Sequence, residues 1–423
     1  MESSAGSKEN LIDQKITHMD LNKLIESVKN PHGKFNGNEI EYVLRALDSE
    51  NPENKKFPWV QKFEEVFAEK VGSKYAIAVN SGTSGLHAAL YAAGVGPGDE
   101  VIQPSVTVVM DAYVTIHMGA IPVFVDIDPE SWNIDAKKIE EKITPKTKAI
   151  IVVSLYGLPV DIDPILEIAK KHNIIVIDDS AETTMSLYKG EVAATKAHIG
   201  VFSFEKSKHM TSGSEGGMMI TNDENLATLS RKFAGIGYKG LTASAGRTSL
   251  AASIYQDPDY ERFDTIGLNY RMNAITAAVG LAQFERIDFL VERRKKVGEM
   301  FLDAIKGCSW IKSQVVPDHS VHTYFTFGLL YLGLQEKGIS WKEFYNRYKA
   351  KGGDGFYACW ANPYLEPSLK GKKMGDQVFA KGLCPIAEDY QKKIMAFKSN
   401  YRDLDEAREK TRILKELIDE IGR

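Results

Sequence analysis

Apolar and polar positions fall into two alternating rhythms over the first half of the chain. Between residues 60 and 71, Phe63, Val66, Phe67 and Val71 recur at helical spacing and Gly72 supplies a stop. Short apolar runs predict strands at 75–79, 100–103, 123–126, 148–153 and 174–177, and helical patterns at 85–93, 111–118 and 162–171 separate them. Alternation of this kind predicts an α/β fold with a largely parallel sheet covered on both faces. Residues 51–56 read as a loop. Beyond Asn269, helices are predicted at 274–285 and 286–304, a strand at 324–330 and an amphipathic helix at 404–421. The division that follows is a polar arm over 1–37 with one short helix near 20–28, a large domain over 38–285, and a smaller C-terminal α+β domain over 286–423.

A length of 423 residues fits two or three such units. The 53 basic and 57 acidic residues are interspersed and nearly balanced, so nothing predicts nucleic-acid or membrane binding. Three widely spaced cysteines, Cys308, Cys359 and Cys384, fit a reducing compartment and neither a disulfide framework nor a metal site. The first ten residues lack the apolar segment of a secretion signal, and no apolar run is long enough to span a bilayer, so a cytoplasmic location is expected.

The candidate chemistry gathers at predicted strand ends. The run Ile174–Ile177 delivers Asp178 and Asp179, and the stretch Phe202-Ser203-Phe204-Glu205-Lys206-Ser207-Lys208 ends on a lysine followed by Gly213, Gly216 and Gly217. A strand-end acid and a lysine beside small residues meet the needs of pyridoxal phosphate, whose aldehyde bonds to an amine and whose protonated ring nitrogen pairs with a carboxylate. Helix capping by one of the two aspartates is the plainer reading of the pair, and spacing alone does not choose between Lys206 and Lys208. Asn80-Ser81-Gly82-Thr83-Ser84-Gly85 lies between a strand and a helix. It reads equally as a phosphate cradle or as an ordinary helix cap. Ser203, alternating with two phenylalanines, suits a second phosphate ligand.

The ordered segments SGTSGLHAAL, GDEVI, VIDDSAE, FSFEKSK, GSEGGMMITND and NYRMNAITAAVG resemble the DegT/DnrJ/EryC1/StrS family, densely over 57–290. That resemblance implies a fold type I pyridoxal phosphate-dependent aminotransferase with a mostly parallel seven-stranded sheet. L-glutamate is the implied amino donor and a keto sugar, usually nucleotide-linked, the acceptor, with pyridoxamine phosphate formed midway. It assigns Lys208 as the residue bonded to the cofactor, Asp179 as the partner of the ring nitrogen, and Thr83, Ser84 and Ser203 as phosphate ligands. Asn269 is implied to reach across a homodimer interface. Tyr156 and His322 are candidates for the substrate pocket.

The chain departs from the family pattern at several positions. Glu182 stands where Gln or His is common, and repulsion from the cofactor's phenolic oxygen predicts a carboxyl that is protonated or turned away. Val108 replaces an aromatic ring above the cofactor. The glycine segment Gly213-Ser214-Glu215-Gly216-Gly217 is one residue longer than usual, and Cys384-Pro385-Ile386-Ala387-Glu388 occupies a loop that often bears histidine. Three other readings stand beside amino transfer to a sugar: transfer to a carbocyclic ketone, sugar dehydration, and a catalytically inert sensor or scaffold. Dehydrating relatives replace the lysine by histidine; here His209 follows Lys208, which keeps its place.

Overall fold

The computed structural model describes residues 21–28, 33–48, 50–244 and 252–423. Most of the polar arm therefore lies outside the described residues; its predicted short helix appears as α1, Leu21–Val28. α2 follows at Glu39–Leu47. The expected loop at 51–56 instead contains one helical turn, Pro52–Lys55, because Asn51 accepts the Glu53 N–H at 3.0 Å and proline opens the turn. α3, Trp59–Val71, ends where Gly72 adopts a left-handed φ of 81° and returns its N–H to Ala68.

The large sheet is built from β1 (Tyr75–Val79), β2 (Glu100–Pro104), β3 (Ile121–Val125), β4 (Thr147–Val153), β5 (Ile175–Asp179), β6 (Ile199–Ser203) and β7 (Gly217–Thr221). Its order is β1-β7-β6-β5-β4-β2-β3. β7 runs antiparallel to both neighbours and the other pairings are parallel. Helices α4 (Gly82–Ala92), α5 (Met110–His117), α6 (Asp163–His172) and α7 (Glu224–Ala234) connect or flank these strands, and α8 (Ala274–Phe284) packs with α2 and α3. The strands are apolar at nearly every position because both faces are covered, which is why runs rather than alternation marked them. On one face Phe63, Phe67, Phe202, Phe204 and Phe284 are fully buried, with Phe67 and Phe284 stacked at 4.6 Å. A buried ion pair, Arg231 to Glu64 at 2.9 Å, runs beside the edge strand β1, where Glu64 accepts the Ala78 N–H and Arg231 donates to the Ala76 carbonyl.

The long helix α9 (Ile287–Ile305) leads to a second sheet of β8 (Ile311–Ser313), β9 (Thr326–Tyr331), β10 (Tyr357–Ala358) and β11 (Ile394–Lys398), ordered β8-β9-β11-β10. α10 (Trp341–Ala350) and α11 (Leu404–Ile421) complete this half, and α11 lies along α9. A shared core joins the two sheets: Val106, Phe124, Trp132 and Tyr156 pack with Leu330, Tyr364, Phe379 and Ile394. That core brings the second half against the carboxyl ends of β2, β4 and β5, the edge where ligands bind in open parallel sheets. Among the described residues no helix is long and apolar enough to cross a membrane. None of their His, Cys, Asp and Glu side chains form a group of three placed to hold a metal.

Candidate active site

β1 turns into α4 through Ser81, whose extended backbone makes it the cap: its Oγ accepts the Ser84 N–H at 3.1 Å. Ser84 donates its own hydroxyl to Asn80 at 2.6 Å, so it belongs to the capping network. Thr83 is half-buried, and its hydroxyl has no hydrogen-bond partner among the described residues. The Gly82 and Thr83 amides open the helix, where no intrahelical acceptor exists for them. Ser203, at the end of β6, closes on this turn: a Cβ on Gly82 would stand 3.0 Å from that of Ser203. Glycine is thus what lets the strand end and the helix start approach each other. Ser81→Ala is expected to lower stability by about 1 kcal/mol, measured as the shift in a urea transition, because the Ser84 amide loses its acceptor.

The parallel register pairs Val153 with Asp179 and Asp179 with Val201, placing Asp179 on the same edge as Ser203. It accepts the Ala181 N–H at 3.0 Å. Burial holds its carboxyl above the usual range, while that amide and the Lys208 charge pull the other way. Its neighbour Asp178 faces the other side of the strand, accepting the Ser154 hydroxyl at 3.3 Å. Burial pushes Asp178 up to about 7. A carboxyl raised on folding favours the folded state below its unfolded pKa, about 4, and loses that advantage as pH climbs through its folded value. The protein without cofactor is therefore expected to lose stability between about pH 4 and pH 7. Asp178→Asn should flatten that slope by an amount on the order of a few kcal/mol. Urea transitions at pH 5 and pH 8 measure it; parallel slopes for the two proteins would contradict it.

Lys208 lies in the turn after β6, its N–H bonded to the Glu205 carbonyl at 3.0 Å. Its side chain is only 11% exposed, and Nζ sits 3.7 Å from Glu182 Oε1 and 4.2 Å above the Phe325 ring. Among the described residues the amine finds no acceptor at hydrogen-bond distance. The backbone beneath it is held by Arg294 on α9, which donates to the carbonyls of Ser207 at 2.6 Å and Lys208 at 3.0 Å. Lys206 points to solvent, so geometry separates two lysines that spacing did not.

Glu182 is buried and is not turned away. Oε2 accepts the Tyr156 N–H at 2.9 Å and Oε1 accepts Trp360 Nε1 at 3.1 Å, which fixes Oε1 toward Lys208. Trp360 arrives from beyond β10, in a segment bridged to the strand-end loop by Thr107 N–H to the Ala361 carbonyl at 3.3 Å. Val108 is half-buried beside that bridge and brings no ring of its own.

The remaining sequence candidates stand elsewhere. Tyr156 is fully buried at a positive φ of 60°, its hydroxyl 3.4 Å from Cys359 Sγ. His322 is buried, stacks on Tyr324 at 3.9 Å and accepts the Tyr324 N–H at 2.8 Å; burial pulls it down to about 3. Asn269 is exposed and accepts Arg271 Nε at 3.0 Å. His209 is buried, with Nε2 on the Thr323 carbonyl at 3.0 Å, so its proton is committed to the protein interior. The sequence reading passed over Arg294, Phe325, Trp360 and Asp111. The last is a buried acid that accepts the Thr107 hydroxyl at 2.7 Å.

The profile of the DegT/DnrJ/EryC1/StrS aminotransferase family matches residues 34–400. A GDP-perosamine synthase of Caulobacter vibrioides is 43% identical over a stretch that spans 62% of this chain and 66% of that protein. The GDP-perosamine synthase of Escherichia coli O157:H7 is 38% identical over 71% of this chain and 77% of its own. Among solved structures, an aminotransferase from Psychrobacter cryohalolentis superposes with a TM-score of 0.81 at 28% identity, covering 91% of this chain and 97% of that one.

Proposed function

The chain belongs to the DegT/DnrJ/EryC1/StrS aminotransferase family, and from that premise we propose that it carries an amino group from L-glutamate to a nucleotide-linked keto sugar, yielding an amino-deoxy sugar. The observation that carries this reading is the buried amine of Lys208, 3.7 Å from Glu182 and without an acceptor at hydrogen-bond distance among the described residues. The residues present fit pyridoxal phosphate. Gly82 leaves room beside Ser203, Thr83 has a spare hydroxyl, and the α4 start offers amides to an anion. Asp179 is the carboxylate for the ring nitrogen. When bound, the cofactor supplies an aldehyde that captures the donor nitrogen and a ring that takes up electrons as the donor's Cα proton leaves.

The chain's own residues do the rest. Arg294 fixes the Lys208 main chain, so the side chain swings from a stationary base. Lys208 Nζ takes the proton from the substrate carbon and returns it at the neighbouring position. Glu182, immobilised by the Tyr156 amide and Trp360, keeps that amine aimed into the site between transfers. Trp360, the Thr107–Ala361 bridge and Asn362, which donates to the Ser105 carbonyl at 2.9 Å, close the site on the side of the smaller sheet and exclude water there.

A homodimer is part of this proposal. Phe263, Leu268 and Ile266, the last 93% exposed, flank Asn269 and leave an apolar surface that a second copy of the chain would cover. Asn269 would then serve the neighbouring site. The relatives named for GDP-perosamine place a guanosine diphosphate-linked keto sugar first among acceptors to test. Incubating the loaded protein with L-glutamate and a panel of nucleotide-linked keto sugars should give one aminated sugar and an equal amount of 2-oxoglutarate. Formation of 2-oxoglutarate with none of the sugars, but with a carbocyclic ketone, would move the reading to that acceptor class.

A further inference from the structure

Trp360 keeps 37% of its surface exposed, although the chain on both sides of it is pinned. Its main-chain N–H meets the Tyr156 hydroxyl at 3.4 Å, and that hydroxyl also reaches Cys359 Sγ at 3.4 Å. On the far side, the Ala361 carbonyl accepts the Thr107 N–H at 3.3 Å and Asn362 donates to the Ser105 carbonyl at 2.9 Å. The indole itself donates to Glu182 Oε1 at 3.1 Å, the oxygen that stands 3.7 Å from Lys208 Nζ. The ring is thus fixed at the site while part of its surface stays open. Thr107 and Ala361 pair as an antiparallel bridge, so the next positions along it are Val108 and Trp360. Residues opposed across an antiparallel pair share one face. The indole contact shows that this face looks toward Glu182 and Lys208.

We propose that the indole of Trp360 is the aromatic wall of the cofactor site, stacking on the pyridine ring of pyridoxal phosphate from the side where Val108 has no ring to offer. This rests on the cofactor reading given above. A flat, cationic ring binds well against an aromatic face, and a wall already held in place loses little freedom when it is covered. Two other aromatic residues contact Lys208 or Glu182 among the described residues, and both are engaged. Phe325 has the Lys208 amine 4.2 Å from its ring centre and the Arg294 guanidinium at 5.4 Å. Tyr156 is 1% exposed and reaches Glu182 through its main-chain N–H. Trp360 comes from the segment after β10, so the cofactor would be gripped by both halves of the chain.

The test measures pyridoxal phosphate dissociation constants by equilibrium dialysis for the parent, Trp360→Phe and Trp360→Leu. Both variants lose the indole donor to Glu182, and only the second loses the ring. Trp360→Phe should bind within about 3-fold of the parent and Trp360→Leu about 10-fold more weakly, the scale of one aromatic pair. Equal losses in the two variants would overturn the proposal and leave Trp360 as a positioning residue for Glu182. Adding Val108→Phe to Trp360→Leu puts a ring on the opposing position and should recover most of the loss. No recovery would contradict the shared face. Inorganic phosphate, which has no ring, should compete with the same dissociation constant in all four proteins. Weaker phosphate binding in Trp360→Leu would mark a damaged site and overturn the stacking role. A parent that binds no pyridoxal phosphate would overturn this proposal and the proposed function together. A parent that binds it with the expected ranking, but forms no 2-oxoglutarate from L-glutamate, would keep the Trp360 wall and sink amino transfer.

Discussion

Lys208→Ala is expected to fold, to bind pyridoxal phosphate without bonding to it, and to lose amino transfer by a factor on the order of 10⁴ or more. The side chain can be removed at small structural cost: Nζ contributes one 3.7 Å ion pair and one contact with the Phe325 ring, and the main chain is anchored by Arg294. What the mutation deletes is, among the described residues, the one amine beside Glu182 and the Phe325 ring, and no described neighbour replaces it. Lys206, two residues away, faces solvent. Lys206→Ala is the matched control and should retain activity within about 2-fold, as surface substitutions do. Formation of 2-oxoglutarate from L-glutamate, followed with time, measures both variants.

Asp179→Asn should separate activity from stability. Transamination is expected to fall on the order of 10²- to 10³-fold, the usual effect of removing one preorganised electrostatic partner from a reacting centre. An amide neither neutralises a cationic ring nitrogen nor holds its proton. The cofactor-free protein should meanwhile gain stability, by about 1 kcal/mol, because burial and the nearby Glu182 carboxyl both disfavour the charge that the amide removes. A denaturant transition and an initial-rate assay on the same preparation test the two signs together. A variant that loses both activity and stability would mark Asp179 as a structural acid.

Much of this site could be read from the chain because its parts are local. The Ser81 cap, the β5 acids and the Lys208 turn each depend on a few consecutive residues at a strand end, where periodicity and turn chemistry leave clear marks. The helix predicted at 404–421 appears as α11 with the same limits, since its apolar stripe repeats over the whole span. The resemblance then chose Lys208 over Lys206, which spacing did not.

What escaped the sequence was tertiary. Trp360 reaches Glu182 from beyond β10, and Arg294 reaches the Lys208 carbonyl from the middle of α9. Arg294 sits in the run Arg293-Arg294-Lys295-Lys296, which reads as a solvated helix face, yet it is buried with its neighbours half-exposed or exposed. Asp111 stands in the first turn of a helix, a position that favours acids on dipole grounds alone, so nothing in the sequence sets it apart. Glu182 was expected to be protonated or turned away; donors from Tyr156 and Trp360, remote in sequence, hold its Oε1 toward Lys208. The reversed direction of β7 also left no signal, because an apolar run buried on both faces carries no mark of its orientation.

The central claim is that Lys208 is the cofactor's covalent anchor. The most direct measurement is borohydride reduction of the protein loaded with pyridoxal phosphate, followed by peptide mass mapping. The account predicts one modified residue, Lys208, and no modification when L-glutamate is added before the borohydride, because the donor then holds the cofactor's carbon. Modification at Lys206 or at scattered surface lysines, or a label on Lys208 indifferent to glutamate, would contradict it.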